Sequence, residues 1–270
     1  MKKVTIGNAE LYCGDCFEIL QTLADESIDA CISDPPYAAV SFNGKCTACE
    51  WDKPIPLPEF WQLLERKTKP TANTVLFCNM KFAYDLIDTN IKNFRYDLVW
   101  CKNHRVGFMN AAKMPLRAHE LILVFGRQGY RDASTYNPVK TPGGRPVVRQ
   151  GIRRKGGVYP AQEEAEASVT VGDGLRYPNS LLAFTHDREN NQKGLNFHPT
   201  AKPLLLMAYL TYTYSNEGDT VLDCFMGSGT TGIAATKLGR KFIGIEQNPE
   251  YFAIACQRFE AERAKWRKAG

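Results

Sequence analysis

The chain has 270 residues, of which 44% are hydrophobic and 23% charged, with a net charge of +5. At about 150 residues per domain this is one large core with an insertion, and the composition excludes wholesale disorder. No apolar run approaches the ~18 residues of a membrane span and no secretory stretch follows Met1-Lys2-Lys3, so a cytoplasmic protein without membrane partners is expected.

In chain order, Glu10–Cys13 reads as a short strand, and Asp15 as the cap of a helix that starts at Cys16. Ser27–Ser33 is an apolar strand that stops at Asp34-Pro35-Pro36-Tyr37, and Ala38–Glu50, small and polar, reads as a mobile loop. Pro58–Lys69 has the spacing of an amphipathic helix, Thr74–Asn79 of a strand, Lys81–Lys92 of a helix, and Arg95–Cys101 and Glu120–Phe125 of strands. Order resumes after His198-Pro199-Thr200 with an apolar helix over Lys202–Tyr214 and a buried strand over Thr220–Phe225. A helix over Thr230–Leu238, a strand over Lys241–Glu246 and a long helix over Glu250–Lys268 complete the chain. This alternation predicts an α/β domain around a mostly parallel sheet, formed by residues 1–125 and 197–270 and interrupted at 126–196.

The interruption is basic: Arg127 to Lys155 holds eight Lys or Arg against one acid, Asp132, with Tyr, Gly and Pro interleaved. Such a segment reads either as a nucleic-acid-contacting insertion or as a solvated loop with surplus charge. Nine cysteines, an odd count, fit a reducing compartment. The pairs Cys13/Cys16 and Cys46/Cys49 resemble half-sites for zinc, but spacing alone without flanking knuckle turns is weak, and no metal is expected.

Gly227-Ser228-Gly229-Thr230-Thr231-Gly232 follows a strand and opens a helix, and Glu246 ends the next strand. The glycines permit a tight turn and close approach of backbone to a ligand, and Glu246 is placed to accept from ribose hydroxyls. This geometry serves NAD and S-adenosylmethionine (AdoMet) alike, so the loop alone does not separate a dehydrogenase from a methyltransferase. Asp34-Pro35-Pro36-Tyr37 adds a carboxylate acceptor, a stiff turn with a free Pro35 carbonyl, and an aromatic plate. Two acceptors beside a flat face suit a planar ring bearing an NH2 group, whose lone pair they would aim at an electrophile. The bland alternative is a rigid turn in which Asp34 only caps the chain.

Asp34-Pro35-Pro36-Tyr37, the segment Asp223 to Thr231, and His198-Pro199-Thr200-Ala201-Lys202-Pro203, in this order, resemble the DNA amino-methyltransferase family, β class. The resemblance covers nearly the whole chain apart from ~126–196. It implies a Rossmann-like AdoMet-dependent methyltransferase fold in which the inserted region recognises target DNA. By that resemblance Asp34 and Pro35 bind the target amine, with Pro36 stiffening the turn, and Tyr37 stacks on the base. Phe225, Gly227, Ser228, Gly229 and Thr230 wall the AdoMet pocket, Glu246 binds the ribose, and Asp223 orients the loop or the amino-acid end. Thr200 and Lys202 meet the methionine carboxylate, and Asp15 and Cys16 lie near the adenine of AdoMet. Arg145, Arg149, Arg153, Arg154 and Lys155 are the expected DNA contacts, made to a duplex from which the target nucleotide is flipped. Asp rather than Ser at the first motif position favours adenine N6 over cytosine N4. RNA or protein amines, a non-catalytic DNA-binding module and an NAD dehydrogenase are the remaining alternatives. A homodimer and a cognate restriction endonuclease are the partners, beyond DNA, that the resemblance suggests.

Overall fold

The computed structural model describes residues 1–37, 54–143, 148–150, 169–171, 174–185 and 201–269. Two compact units are present: Met1–Asn137 with Ser180–Gly270, and Pro138–Asn179. Both boundaries of the smaller unit fall inside the basic stretch at 126–196.

The larger unit is built on a nine-stranded sheet of order β1-β2-β13-β12-β3-β4-β6-β5-β11. Its strands are β1 (Lys2–Ile6), β2 (Ala9–Cys13), β3 (Ile28–Ser33), β4 (Thr68–Cys78), β5 (Phe94–Val106), β6 (Arg117–Gly126), β11 (Leu181–Ala183), β12 (Thr220–Asp223) and β13 (Lys241–Glu246). The five central strands, β2, β13, β12, β3 and β4, run parallel. β1 pairs antiparallel at one edge, while β6 turns antiparallel between β4 and β5 at the other. The sheet is therefore α/β and mostly parallel, as expected.

Alternate residues of the strands feed opposite faces, because the side-chain period is two. Ile32, Val75, Phe77 and Val221 join one cluster, covered by α4 (Leu204–Tyr214), α5 (Thr230–Lys237) and α6 (Pro249–Ala269). Cys31, Leu76, Cys78 and Leu222 join the other, covered by α1 (Cys16–Thr22), α2 (Leu57–Lys67) and α3 (Met80–Thr89). Strands covered on both faces read as continuous apolar runs, which is why β3 and β12 stand out in the sequence. Local chemistry fixes the helix starts. Asp15 accepts from the Phe17 and Glu18 amides at 2.9 and 3.2 Å, and Asn79 accepts from the Phe82 amide at 2.9 Å.

Several strand segments depart from the sequence expectation: β5 runs on to Val106 and β6 begins at Arg117, both beyond the expected Arg95–Cys101 and Glu120–Phe125, and three others differ more. β1 is absent from the sequence expectation: it is a mostly exposed edge strand whose apolar alternation is only two residues long, Val4 and Ile6. β4 begins at Thr68 rather than Thr74, its first turn of chain being polar and carrying Pro70, with a register shift between Ile28 and Ala30. β11 has three residues, too few for any period, yet it extends the main sheet by pairing parallel to β5 at Val99, Trp100 and Cys101.

In the smaller unit, β7 (Thr141–Pro142) pairs antiparallel with β10 (Leu175–Arg176), and β8 (Val148–Gln150) with β9 (Val169–Val171). Arg176 donates to the Gly143 carbonyl at 2.7 Å, and the Lys140 ammonium lies 4.6 Å from the centre of the Tyr177 ring. Among the described residues no helix is long and apolar enough to cross a membrane.

Candidate active site

The helix after β12 lies on one face of the sheet and the helix after β3 on the other, so β12 and β3 flank a topological switch point. Open α/β sheets bind ligands outside the carboxyl ends of the strands at such a point. Both chemical motifs emerge there: Asp34-Pro35-Pro36-Tyr37 from β3, and the glycine loop from β12.

One hydroxyl ties them together. Ser33 Oγ donates to Asp223 Oδ1 at 2.6 Å and accepts from the Cys224 amide at 3.0 Å. Asp223 Oδ1 also accepts from the Phe225 amide at 3.1 Å, and Oδ2 accepts from the Thr231 hydroxyl at 2.6 Å. Asp223 thereby fixes the entry of the glycine loop and its helix to the strand that carries Asp34. Burial pushes the Asp223 carboxyl up to about 6, against the pull of the Ser33, Thr231 and Phe225 donors. A carboxyl raised above its unfolded value of about 3.9 contributes stability that is intact below that value and lost as pH rises through about 6. The change is on the order of 3 kcal/mol, taking ~1.4 kcal/mol per pKa unit. Asp223→Asn should remove it, so urea unfolding at pH 5 and 7.5 should show the variant gaining on the wild type as pH rises. A constant difference would mean that Asp223 does not titrate in this range.

The cofactor side gathers at the ends of β2, β13 and β12. Glu246 Oε2 accepts from the Gly227 amide at 2.9 Å and Oε1 from the Asn248 amide at 2.7 Å. Burial raises its carboxyl, while those backbone donors oppose the rise. The Gly14 amide donates to the Glu246 carbonyl at 3.0 Å, which brings the start of α1, with Asp15 and buried Cys16, beside this carboxylate. Gly229 has φ +80 at the cap of α5, and a Cβ there would come within 2.9 Å of Phe259, so the loop needs glycine at this position. Half-buried Phe225 packs its ring 5.9 Å from Phe60.

Ser228 and Thr230 face a residue that the sequence reading missed. Arg258 of α6, buried behind the loop, donates to the Ser228 carbonyl at 2.6 Å, to the Ser228 hydroxyl at 2.9 Å and to the Thr230 hydroxyl at 3.0 Å. Burial holds its guanidinium down at about 10. An arginine on an amphipathic helix normally reads as solvated, and no local signal marks this one as a support of the loop.

On the acceptor side, both Asp34 oxygens are engaged. Tyr37 donates its hydroxyl to Oδ1 at 2.5 Å, and Lys202 donates to Oδ2 at 2.5 Å. Tyr37 packs its ring 5.7 Å from Phe82; burial and the Asp34 charge raise its phenol well above the ordinary value, so it stays a donor. Lys202 is buried, 3.3 Å from Glu120 and 4.9 Å from the centre of the Phe77 ring. Lys102 pairs with the other Glu120 oxygen. Two cations thus alternate with two carboxylates. Burial lowers the Lys202 ammonium, but Asp34 and Glu120 more than reverse this and hold it above its ordinary value. Burial raises the Glu120 carboxyl, and Lys202 and Lys102 outweigh it and hold the group low. The structure therefore places Lys202 on Asp34, and adds Glu120 and Lys102, which carried no sequence signal.

Thr200, Arg145, Arg153, Arg154 and Lys155 lie outside the described residues, as do the Ala38–Glu50 segment and Cys46 and Cys49. Arg149 lies on β8, opposite Thr170 of β9.

For AdoMet, the donor and acceptor set fits. Glu246 offers a carboxylate beside the glycine loop for a ribose diol, α1 begins next to it, and Asp34 lies across the Ser33–Asp223 bond where a methyl acceptor would sit.

Comparison with known proteins agrees. The chain is 26% identical over 258 residues to the type II methyltransferase M.HpaI of Haemophilus parainfluenzae, covering 93% of this chain and 74% of that one. Its fold matches the M1.HpyAVI–SAM complex with a TM-score of 0.60 and 26% identity, over 93% of this chain and 98% of the other. It also matches the PvuII cytosine-N4-specific DNA methyltransferase with a TM-score of 0.66 and 20% identity, over 94% and 87%, a likeness of fold alone. The profile of the N6/N4 methyltransferase family, described as DNA methylase, matches residues 28–257. With the amine-binding motif and the glycine loop joined at one switch point, this chain belongs to the N6/N4 DNA methylase family.

Proposed function

We propose that this DNA methyltransferase transfers the methyl group of AdoMet to the N6 amine of adenine in duplex DNA, on a nucleotide flipped out of the helix. The observation that carries the reading is the Asp34 carboxylate, held at the end of β3 by Tyr37 and Lys202 and bonded through Ser33 to the strand end that starts the glycine loop.

AdoMet supplies an electrophilic methyl on a sulfonium. The residues of this chain do the rest by position and charge. Asp34 accepts one hydrogen of the amine, and the Pro35 carbonyl accepts the other. Each carboxylate oxygen has two acceptor sites, so the amine can bond to Asp34 beside Tyr37 or beside Lys202. As positive charge develops on nitrogen, attraction to Asp34 grows, which lowers the barrier rather than merely strengthening binding. Glu120 stands 3.3 Å from Lys202 and can hold that cation while Asp34 serves the amine. Glu246 binds the ribose, Asp15 and Cys16 border the adenine end, and Asp223 and Arg258 keep the loop in shape. Tyr37 covers the base. Arg145, Arg149, Arg153, Arg154 and Lys155, in the stretch 126–196, contact the DNA. Asp rather than Ser at position 34 supports adenine as the base.

The test is transfer from radiolabelled AdoMet to unmethylated bacterial DNA, followed by nucleoside analysis. N6-methyldeoxyadenosine is the expected product. N4-methyldeoxycytidine would retain the mechanism and overturn the base, and label found only in RNA or protein would overturn the substrate.

A further inference from the structure

Beside the Asp34 cluster the sheet extends into an apolar, basic hairpin tip that no part of the mechanism above uses. β4 and β5 both run antiparallel to β6, so the C-terminal end of β5 and the N-terminal end of β6 project from the same edge as Asp34. The strands pair out to Val106 opposite Arg117. Arg117 lies three residues beyond Glu120, about 10 Å of strand. Glu120 itself touches Lys202, and Lys202 touches Asp34.

The tip is built rather than loose. Gly107 takes φ +96, and the Asn110 amide bonds to the Gly107 carbonyl at 2.9 Å. Ala111 bonds to Phe108 at 3.1 Å, and Lys113 and Met114 both bond to Asn110, at 2.8 and 3.0 Å. These consecutive turns hold Phe108 at 70% exposure, Met109 fully exposed and Met114 at 53%. A soluble protein that spends backbone order on displaying two methionines and a phenylalanine has a surface for them to meet. Its chemistry is set by charge: between Asp97 and Glu120 the chain carries no acid, and Arg105, Lys113 and Arg117 are exposed. Exposed apolar side chains flanked by exposed cations fit a stacked polyanion, in which Phe and Met serve as wedges between base steps and Arg and Lys meet the phosphates.

We propose that the β5–β6 hairpin tip is the wedge of this enzyme: Phe108 and Met109 enter the duplex where the target base leaves it, and Arg105 and Lys113 hold the adjacent phosphates. This rests on the DNA reading above and adds the element that supplies the flipping energy. Extrusion costs a few kcal/mol of stacking and pairing, least when the target is already unpaired. A wedge therefore matters for a paired target and little for an unpaired one.

The experiment uses duplex oligonucleotides bearing the site mapped from the methylated product, with the target base either paired or opposite an abasic position. Phe108→Ala/Met109→Ala should lower kcat/KM on the paired duplex by about 10- to 100-fold, since each 1.4 kcal/mol is tenfold, and by less than about threefold on the abasic one. Arg105→Ala/Lys113→Ala should weaken binding to both duplexes and reduce the slope of log Kd against log salt by about one per cation removed. Equal losses on the two duplexes, or none, would overturn the wedge. So would a change in self-association with DNA binding intact, which would make the tip a contact with a second copy. The salt slope reads the hairpin even without methyl transfer, so wild-type inactivity on DNA would sink the proposed reaction and leave this arm to decide separately.

Discussion

Asp34→Ala should lower methyl transfer by a factor of about 10²–10³ in single-turnover rate, while AdoMet binding stays within a few-fold of wild type. The carboxylate is the charged acceptor for an amine that becomes cationic as the bond forms, and loss of one such preorganised partner typically costs 10²–10³ or about 3–4 kcal/mol. Binding is spared because the cofactor side has its own fixtures. Glu246 is held by the Gly227 and Asn248 amides, and Asp223 by Ser33, Thr231 and Phe225, none of which uses Asp34. Lys202 keeps Glu120 as a counter-ion, which limits the loss of stability. Calorimetric titration with AdoMet alongside single-turnover transfer separates the two effects. If affinity vanished together with activity, Asp34 would belong to the cofactor pocket, and the division between an amine side and a cofactor side would be wrong.

What could be read from the sequence follows from the range of each signal. Asp34-Pro35-Pro36-Tyr37 and the glycine loop are local, and their chemistry is written in adjacent residues; each also follows a strand whose apolar run marks burial on both faces. The Asp15 cap is equally local and is realised in two amide bonds. What joins these motifs is not local. Ser33 reaches Asp223 across 190 positions and Lys202 reaches Asp34 across 168, and no periodicity encodes such pairings. Glu120 and Lys102 sit on neighbouring antiparallel strands, where an acid and a lysine read as ordinary solvated charges. Arg258 was hidden for the same reason inside an amphipathic helix. Strands failed where burial fails: β1 at an exposed edge, the Pro70-bearing start of β4, and three-residue β11.

Lys202→Met tests that long-range cluster most directly, and its cost should depend strongly on pH. Methionine keeps much of the volume over the Phe77 ring but leaves Glu120 with Lys102 alone and takes the paired cation from Asp34. Removing one partner of a buried ion pair typically costs 3–5 kcal/mol, because the other charge stays buried without compensation. In the wild type the Glu120 carboxyl is held below its ordinary value, so its contribution is present above the unfolded value of about 4.3 and is lost as pH falls through the lower folded value. Without Lys202 the largest pull opposing burial is gone and the folded value rises, so the variant draws less stability than the wild type from ionised Glu120 as pH rises. The wild-type advantage should therefore be largest near pH 8 and narrow toward pH 4–5, as read from urea midpoints across that range. Lys202→Met/Glu120→Gln removes one cation and one anion together and leaves Asp34 with Lys102 as the remaining charges. It should recover at least about 2 kcal/mol of the loss, because neighbours that share one charge network are strongly non-additive. Simple addition of the two single losses would show that Lys202 and Glu120 act apart, and Glu120 would then have no part in holding the lysine away from Asp34 during transfer.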